Sequence, residues 1–208
     1  MSYSDFNLAG VTTRFGLTID DRAALFDSVS EVEPSAILRE FLLRNVPLAT
    51  AIHTEKARSE LIVAPLLVEL VERFKGRLSF FSGVELNADP EKGLNGVCDF
   101  IFARSPVQHI LQRPVAIIVE AKRDCIPDGL GQCVAAMLGA RIFNERDGHP
   151  ISPIHGAVTT GTLWQFLRLR DETISIDKTE YYIDPVDKIL GILASMLEDE
   201  GEHEKLVA

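Results

Sequence analysis

Asn95-Gly96-Val97-Cys98-Asp99-Phe100-Ile101-Phe102-Ala103 and Pro114-Val115-Ala116-Ile117-Ile118-Val119-Glu120-Ala121-Lys122 decide how this chain is read. Both stretches have the pattern of strands. The second is apolar from Val115 to Val119, as expected for a strand covered on both faces, and then ends in Glu120-Ala121-Lys122. Burying a charge is costly unless it is paired or holds a metal. Residues two apart on a strand share a face, so Glu120 and Lys122 point the same way. Asp99 interrupts the first strand in a similar manner. Two carboxylates and a lysine converging at one sheet edge suit metal-assisted hydrolysis. A structural ion pair at a strand end is the plainer reading of Glu120 and Lys122.

Working upstream, residues 78–86 form an aromatic-rich strand and residues 87–93 a turn. A long helix is expected over residues 50–75, ended by Gly76. Its apolar stripe is Ala57, Leu61, Ala64, Val68 and Val71, with Pro65 as a kink. Glu60 falls in that stripe, where a carboxylate is unusual; a solvated place at the stripe's edge is the alternative. His53 and Lys56 precede Glu60 by two turns and one, within reach of a cleft. Glu33-Pro34-Ser35 reads as a helix start. That helix runs to about Asn45, buries Ile37, Leu38, Phe41 and Leu42, and is broken by Pro47. Residues 11–19 read as a strand or short hairpin, and Asp20-Asp21 as the start of a helical turn.

Downstream, residues 125–129 are expected as a loop containing Pro127. A helix follows over residues 130–144, where Gln132, Ala136, Gly139 and Ala140 permit close approach to a sheet. Residues 155–160 and 164–170 read as strands joined at Gly161-Thr162. Arg168 and Arg170 alternate with Leu167 and Leu169, and residues 179–183 add a short edge strand. Asp184-Pro185 opens a last helix with Val186, Ile189, Leu190, Leu193 and Leu197 on its apolar face, followed by a frayed acidic tail. The order helix, strand, strand, strand, helix, strand, strand, helix implies an α/β (α+β mixed) domain. Its sheet begins as an antiparallel meander, gains a strand through a crossover helix, and carries helices on both faces.

The 208 residues support a single domain, residues 1–208, with a core at 50–170, an N-terminal extension at 1–49 and a C-terminal helix with its tail at 184–208. At 46% hydrophobic residues, the chain can bury a sizeable core. The net charge of −10 argues at first against a polyanionic partner. Its distribution changes that reading. Residues 171–208 hold 3 basic and 11 acidic groups, whereas residues 50–170 hold 14 basic and 13 acidic. The middle of the chain therefore permits nucleic-acid binding. No apolar run of about 18 residues suggests a membrane span, and no basic-then-apolar start suggests a secretory leader. Cys98, Cys125 and Cys133 lack metal-ligand spacing and fit reduced thiols, hence a cytoplasmic protein.

With these residues at these places, the chain resembles the PD-(D/E)XK nuclease superfamily, the restriction-endonuclease-like fold, over about residues 50–170. Asp99 matches the acidic residue of the first strand and Glu120-Ala121-Lys122 the Asp/Glu-x-Lys of the next. Glu60 in Ser59-Glu60-Leu61, with Pro65-Leu66-Leu67 after it, is similar to the helix glutamate in nuclease domains of type I restriction subunits. Gln132 takes the place of a glutamine on the following helix. The chain departs from the pattern at Cys98, where proline is common, and at Ala136, where tyrosine is. The resemblance implies a restriction-endonuclease-like central mixed sheet flanked by helices. It also implies Mg²⁺-dependent (Mn²⁺ substituting) phosphodiester hydrolysis of nucleic acid, with DNA the expected substrate. Asp99, Glu120 and the Ala121 carbonyl would hold the metal, with Glu60 acting through a water. Lys122 would orient the attacking water or stabilise charge, and Gln132 would position Lys122 or the substrate. The alternative is a catalytically weak binding or scaffolding module. Either way a homodimer or partner protein would supply specificity, because no DNA-reading element is visible.

Overall fold

The computed structural model describes residues 1–146 and 148–198. The meander forms as the short connections between its strands imply. β2 (Ser79–Glu85), β3 (Val97–Ala103) and β4 (Val115–Ala121) pair antiparallel in sequence. α5 (Ile126–Glu145) then crosses over, and β5 (Ile154–Thr159) lies parallel to β4. A parallel neighbour needs such a crossover, because a tight turn can only reverse the chain. β6 (Leu163–Arg170) returns antiparallel to β5. β7 (Thr173–Ile176) and β8 (Tyr181–Tyr182) both pair with β6. With β1 (Thr18–Asp20) parallel to β7, the mixed sheet has eight strands in the order β1-β7-β6-β5-β4-β3-β2, with β8 off that path.

Both faces are covered. Phe100, Phe102, Ile117, Val119, Trp164 and Phe166 pack with the helices α4 (Ala64–Arg73) and α6 (Asp187–Glu198). Ile101, Ala103, Ile118, Val158 and Leu167 pack on the other side with α5. Every residue of β4 is buried, which explains its unbroken apolar run. Side chains of this size contribute about 1.5–3 kcal/mol each when fully buried.

Several elements differ from the sequence expectation. Residues 11–19 are not a strand or hairpin: α1 (Leu8–Phe15) is capped by Asn7 and ends at Gly16 in the left-handed region, and only then does β1 begin. α2 (Ala36–Ile52) runs through Pro47. That proline and Leu43, whose carbonyl loses its helical partner, are both exposed, where the lost bond costs least. Ile37 and Phe41 are exposed as well, so the buried face of α2 is Leu38, Leu42 and Ala49. Pro127 sits in the first turn of α5 instead of in a loop, since a missing N–H is harmless there. Gly139 faces the N-terminal segment, where its missing Cβ makes room for the Tyr3 ring, whose hydroxyl donates to the Leu86 carbonyl at 2.7 Å. The first 49 residues therefore contribute packing and a strand. The acidic tail beyond Glu198 lies outside the described residues.

The expected single helix over residues 50–75 is three pieces. α2 ends at His53, Thr54 caps α3 (Glu55–Arg58), and a wide π turn at Ser59–Val63 leads into α4. The Ala64 N–H donates to the Ser59 carbonyl, five residues back. The widened turn accommodates Pro65, whose ring would clash with the Leu61 carbonyl in a regular helix. It also rotates the faces. Ile62, Val63, Leu66, Leu67 and Leu70 are buried, while Val68 is exposed.

Candidate active site

The site lies where β3 begins and β4 ends, beside the start of α5. Phe100 pairs with Val119, which sets Asp99 one step along beside Glu120. Asp99 Oδ2 accepts a hydrogen bond from the Ala121 N–H at 2.8 Å. Glu120 is 1% exposed, and its Oε1 receives the Lys122 ammonium at 2.6 Å. Lys122 Nζ also donates to Gln132 Oε1 at 3.2 Å, and the Lys122 N–H to the Thr159 carbonyl at 2.7 Å. Gly129, one turn before Gln132, makes the approach of α5 possible. A Cβ there would stand 2.6 Å from Val158 and 3.1 Å from the Lys122 stem.

The electrostatics follow from this burial. Removal from water and then the neighbouring Asp99 push Glu120 up to about 8, although Lys122 pulls it down. Burial lowers Lys122, but the charge and hydrogen bond of Glu120 outweigh it, with Glu55 and Asp99 adding, so the ammonium is held above its ordinary value. The Cys98 thiol is pushed up to about 12 by burial, with Glu120 and Asp99 adding to it.

Asp99, Glu120, Lys122 and Gln132 are thus brought together. Glu60 is not part of the cluster. Its side chain is 58% exposed and pairs with Lys56 at 2.7 Å, on the outside of the π turn. The carboxylate that reaches the cleft from this helical region is Glu55, which raises Lys122 and lines a cleft of about 470 Å³ with His53, Thr54, Lys122, Arg123 and Asp124. The signal for it was Thr54, a capping residue directly before a first-turn acid. His53 caps α2 at φ 57° and its Nε2 lies 3.3 Å from Asp124 Oδ1. Asp124 is held below the usual carboxylate range chiefly by its hydrogen bond from Arg123. Buried Arg58 anchors the region by donating to the Thr160 carbonyl at 3.0 Å.

Among the described residues, no group of three or more His, Cys, Asp or Glu stands close enough to hold a metal. What is present is an adjacent pair of carboxyl groups whose like charge is already costly. Hard oxygen donors of this kind suit Mg²⁺, which takes one or two protein carboxylates and completes its shell with water and phosphate. No helix among the described residues is long and apolar enough to cross a membrane. Compared with known proteins, the chain matches no family model, no curated protein and no solved structure.

Proposed function

We propose that the chain is a metal-dependent nuclease of restriction-endonuclease-like type that hydrolyses phosphodiester bonds in nucleic acid, with DNA the substrate. The observation that carries this reading is the Asp99–Glu120–Lys122–Gln132 cluster, whose Lys122 lines the cleft beside it. Glu120 is a buried carboxyl beside a second one, and its lysine is aimed by two acceptors at 2.6 and 3.2 Å. An ion pair alone does not account for Asp99, which bonds the Ala121 N–H and at the same time raises the cost of the buried Glu120 charge.

Asp99 and Glu120 would hold Mg²⁺ or Mn²⁺, which supplies polarisation of a phosphate oxygen and acidifies water. The protein's own groups do the rest. Lys122 presents a fixed positive charge where negative charge develops on the phosphate. Gln132 and Glu120 keep its Nζ from swinging away. Exposed Arg123, on the cleft wall, can meet a neighbouring phosphate of the strand. Glu55 replaces Glu60 as the helix carboxylate facing the site. The free thiols Cys98, Cys125 and Cys133 fit a reducing, cytoplasmic setting.

The test is cleavage of single- and double-stranded DNA and RNA with Mg²⁺ or Mn²⁺, beside Lys122→Ala and Asp99→Ala. DNA cleavage lost in both variants supports the reading. If no substrate is cut and calorimetry finds no Mg²⁺ or Mn²⁺ binding, the reading fails.

A further inference from the structure

α2 is apolar around most of its circumference and yet lies on the surface. Leu38, Leu42 and Ala49 are its buried residues. Ile37 is 81% exposed, Leu48 51%, Ile52 48% and Phe41 38%. At about 100° per residue these four fall in one stripe roughly 60° wide, beside the face that packs on the protein, while Leu43, 78% exposed, lies on the far side. An exposed apolar stripe of this kind, interrupted only at Arg44 and Asn45, marks an interaction surface.

The spacing of the stripe fits a second copy of the same helix. Ile37 and Ile52 are equally far from the point between Arg44 and Asn45, and so are Phe41 and Leu48. A two-fold axis through that point, with the helices antiparallel, sets Ile37 against Ile52 of the other copy and Phe41 against Leu48. The same patch then serves both partners, as a closed dimer requires. The relief matches this pairing. At its Ile37 end the stripe borders a groove of about 640 Å³ between α2 and α4, lined by Ile37, Leu38, Phe41, Pro65 and Val68. Antiparallel pairing delivers Leu48 and Ile52 of each copy to that groove on the other. Arg44, next to the axis, is bonded by Glu40 of its own helix at 2.5 Å, so two copies can meet there without opposing bare cations. Glu69, Glu72 and Arg73 give the groove a polar rim around an apolar centre.

We infer that α2 is a self-association surface through which two copies of this chain pair antiparallel. The interface is separate from the Asp99–Glu120–Lys122 cluster and does not depend on the activity assigned to it. The experiment is light scattering coupled to gel filtration at micromolar concentration, with circular dichroism on every sample. The wild-type chain is expected at twice its 23.0 kDa mass. Phe41→Lys and Leu48→Glu are each expected to be folded monomers. Mixed in equal amounts they should re-form a dimer, because the mixed pair contains one Lys–Glu and one Phe–Leu contact. Should either lose helicity, Ile37→Lys and Ile52→Glu provide the second pair at the same register. Three results would each overturn the inference. They are a wild-type chain that stays monomeric, which would leave the stripe to a different protein; single variants that still dimerise; and a mixture that stays monomeric.

Discussion

Replacing Glu120 with glutamine should stabilise the metal-free protein, and the gain should grow with pH. Glutamine keeps the shape and can still accept from Lys122 Nζ, but it never becomes an anion. In the wild type the unfolded chain releases the Glu120 proton near the ordinary value of 4.5, whereas the folded chain holds it until about 8. Between those values the folded state binds more protons than the unfolded one, so wild-type stability falls as pH rises. It levels off above about 8, once both states are ionised. At roughly 1.4 kcal/mol per pH unit, the penalty is on the order of 1 kcal/mol at pH 5, 3 at pH 7 and 4–5 above pH 9. Lys122 does not blur this window. Its raised value keeps it charged below the ordinary 10.5, and its stabilising share is lost only above that range. For a chain of this size, about 3 kcal/mol corresponds to roughly 6–12 °C in Tm. The assay is urea denaturation of both proteins at pH 5, 7 and 9 in EDTA. A gain of about 1 kcal/mol for Glu120→Gln at pH 5 that widens at pH 7 and 9 is expected. Adding Mg²⁺ should then narrow the gap by raising the wild type alone, because a ligand stabilises the state that binds it. If Glu120→Gln is no more stable than wild type at pH 9, or if wild-type stability is flat from pH 5 to 8, the buried-carboxyl argument is refuted.

Other perturbations follow from the same geometry. Lys122→Met should lower DNA cleavage by about a hundredfold or more in a steady-state assay while the far-ultraviolet circular dichroism stays unchanged. Glu55→Gln should weaken cleavage on the order of tenfold, whereas Glu60→Gln, which breaks only an exposed pair with Lys56, should stay within about twofold. The reverse ranking would mean that the helix carboxylate has been misassigned. Gly139→Ala would place a Cβ 2.1 Å from the Tyr3 hydroxyl and should cost about 1–3 kcal/mol in urea denaturation. Unchanged stability there would show that the N-terminal segment contributes little to the packing.

The meander, the crossover and four residues of the candidate site can be read along the chain. Those features are written in short-range patterns. β4 is apolar throughout because both its faces are covered, and Glu120 and Lys122 share a face because strand side chains alternate. Gln132 follows on the next helix, close enough in the chain that a short connection must bring it back. Tertiary structure decided the remainder. Periodicity left Glu60 either on the buried stripe or solvated at its edge; beside the π turn that accommodates Pro65 it lies exposed and paired with Lys56, and it is Glu55 that lines the cleft with Lys122. No count along a regular helix contains that extra residue per turn. β7 and β1 pair across more than 150 residues, and Tyr3 reaches Gly139, contacts set by which surfaces remain uncovered once the sheet has formed. The raised value of Glu120 belongs to the same class. The residue type is visible in the sequence, while the burial and the adjacent Asp99 that shift its proton exist only after the strands have paired.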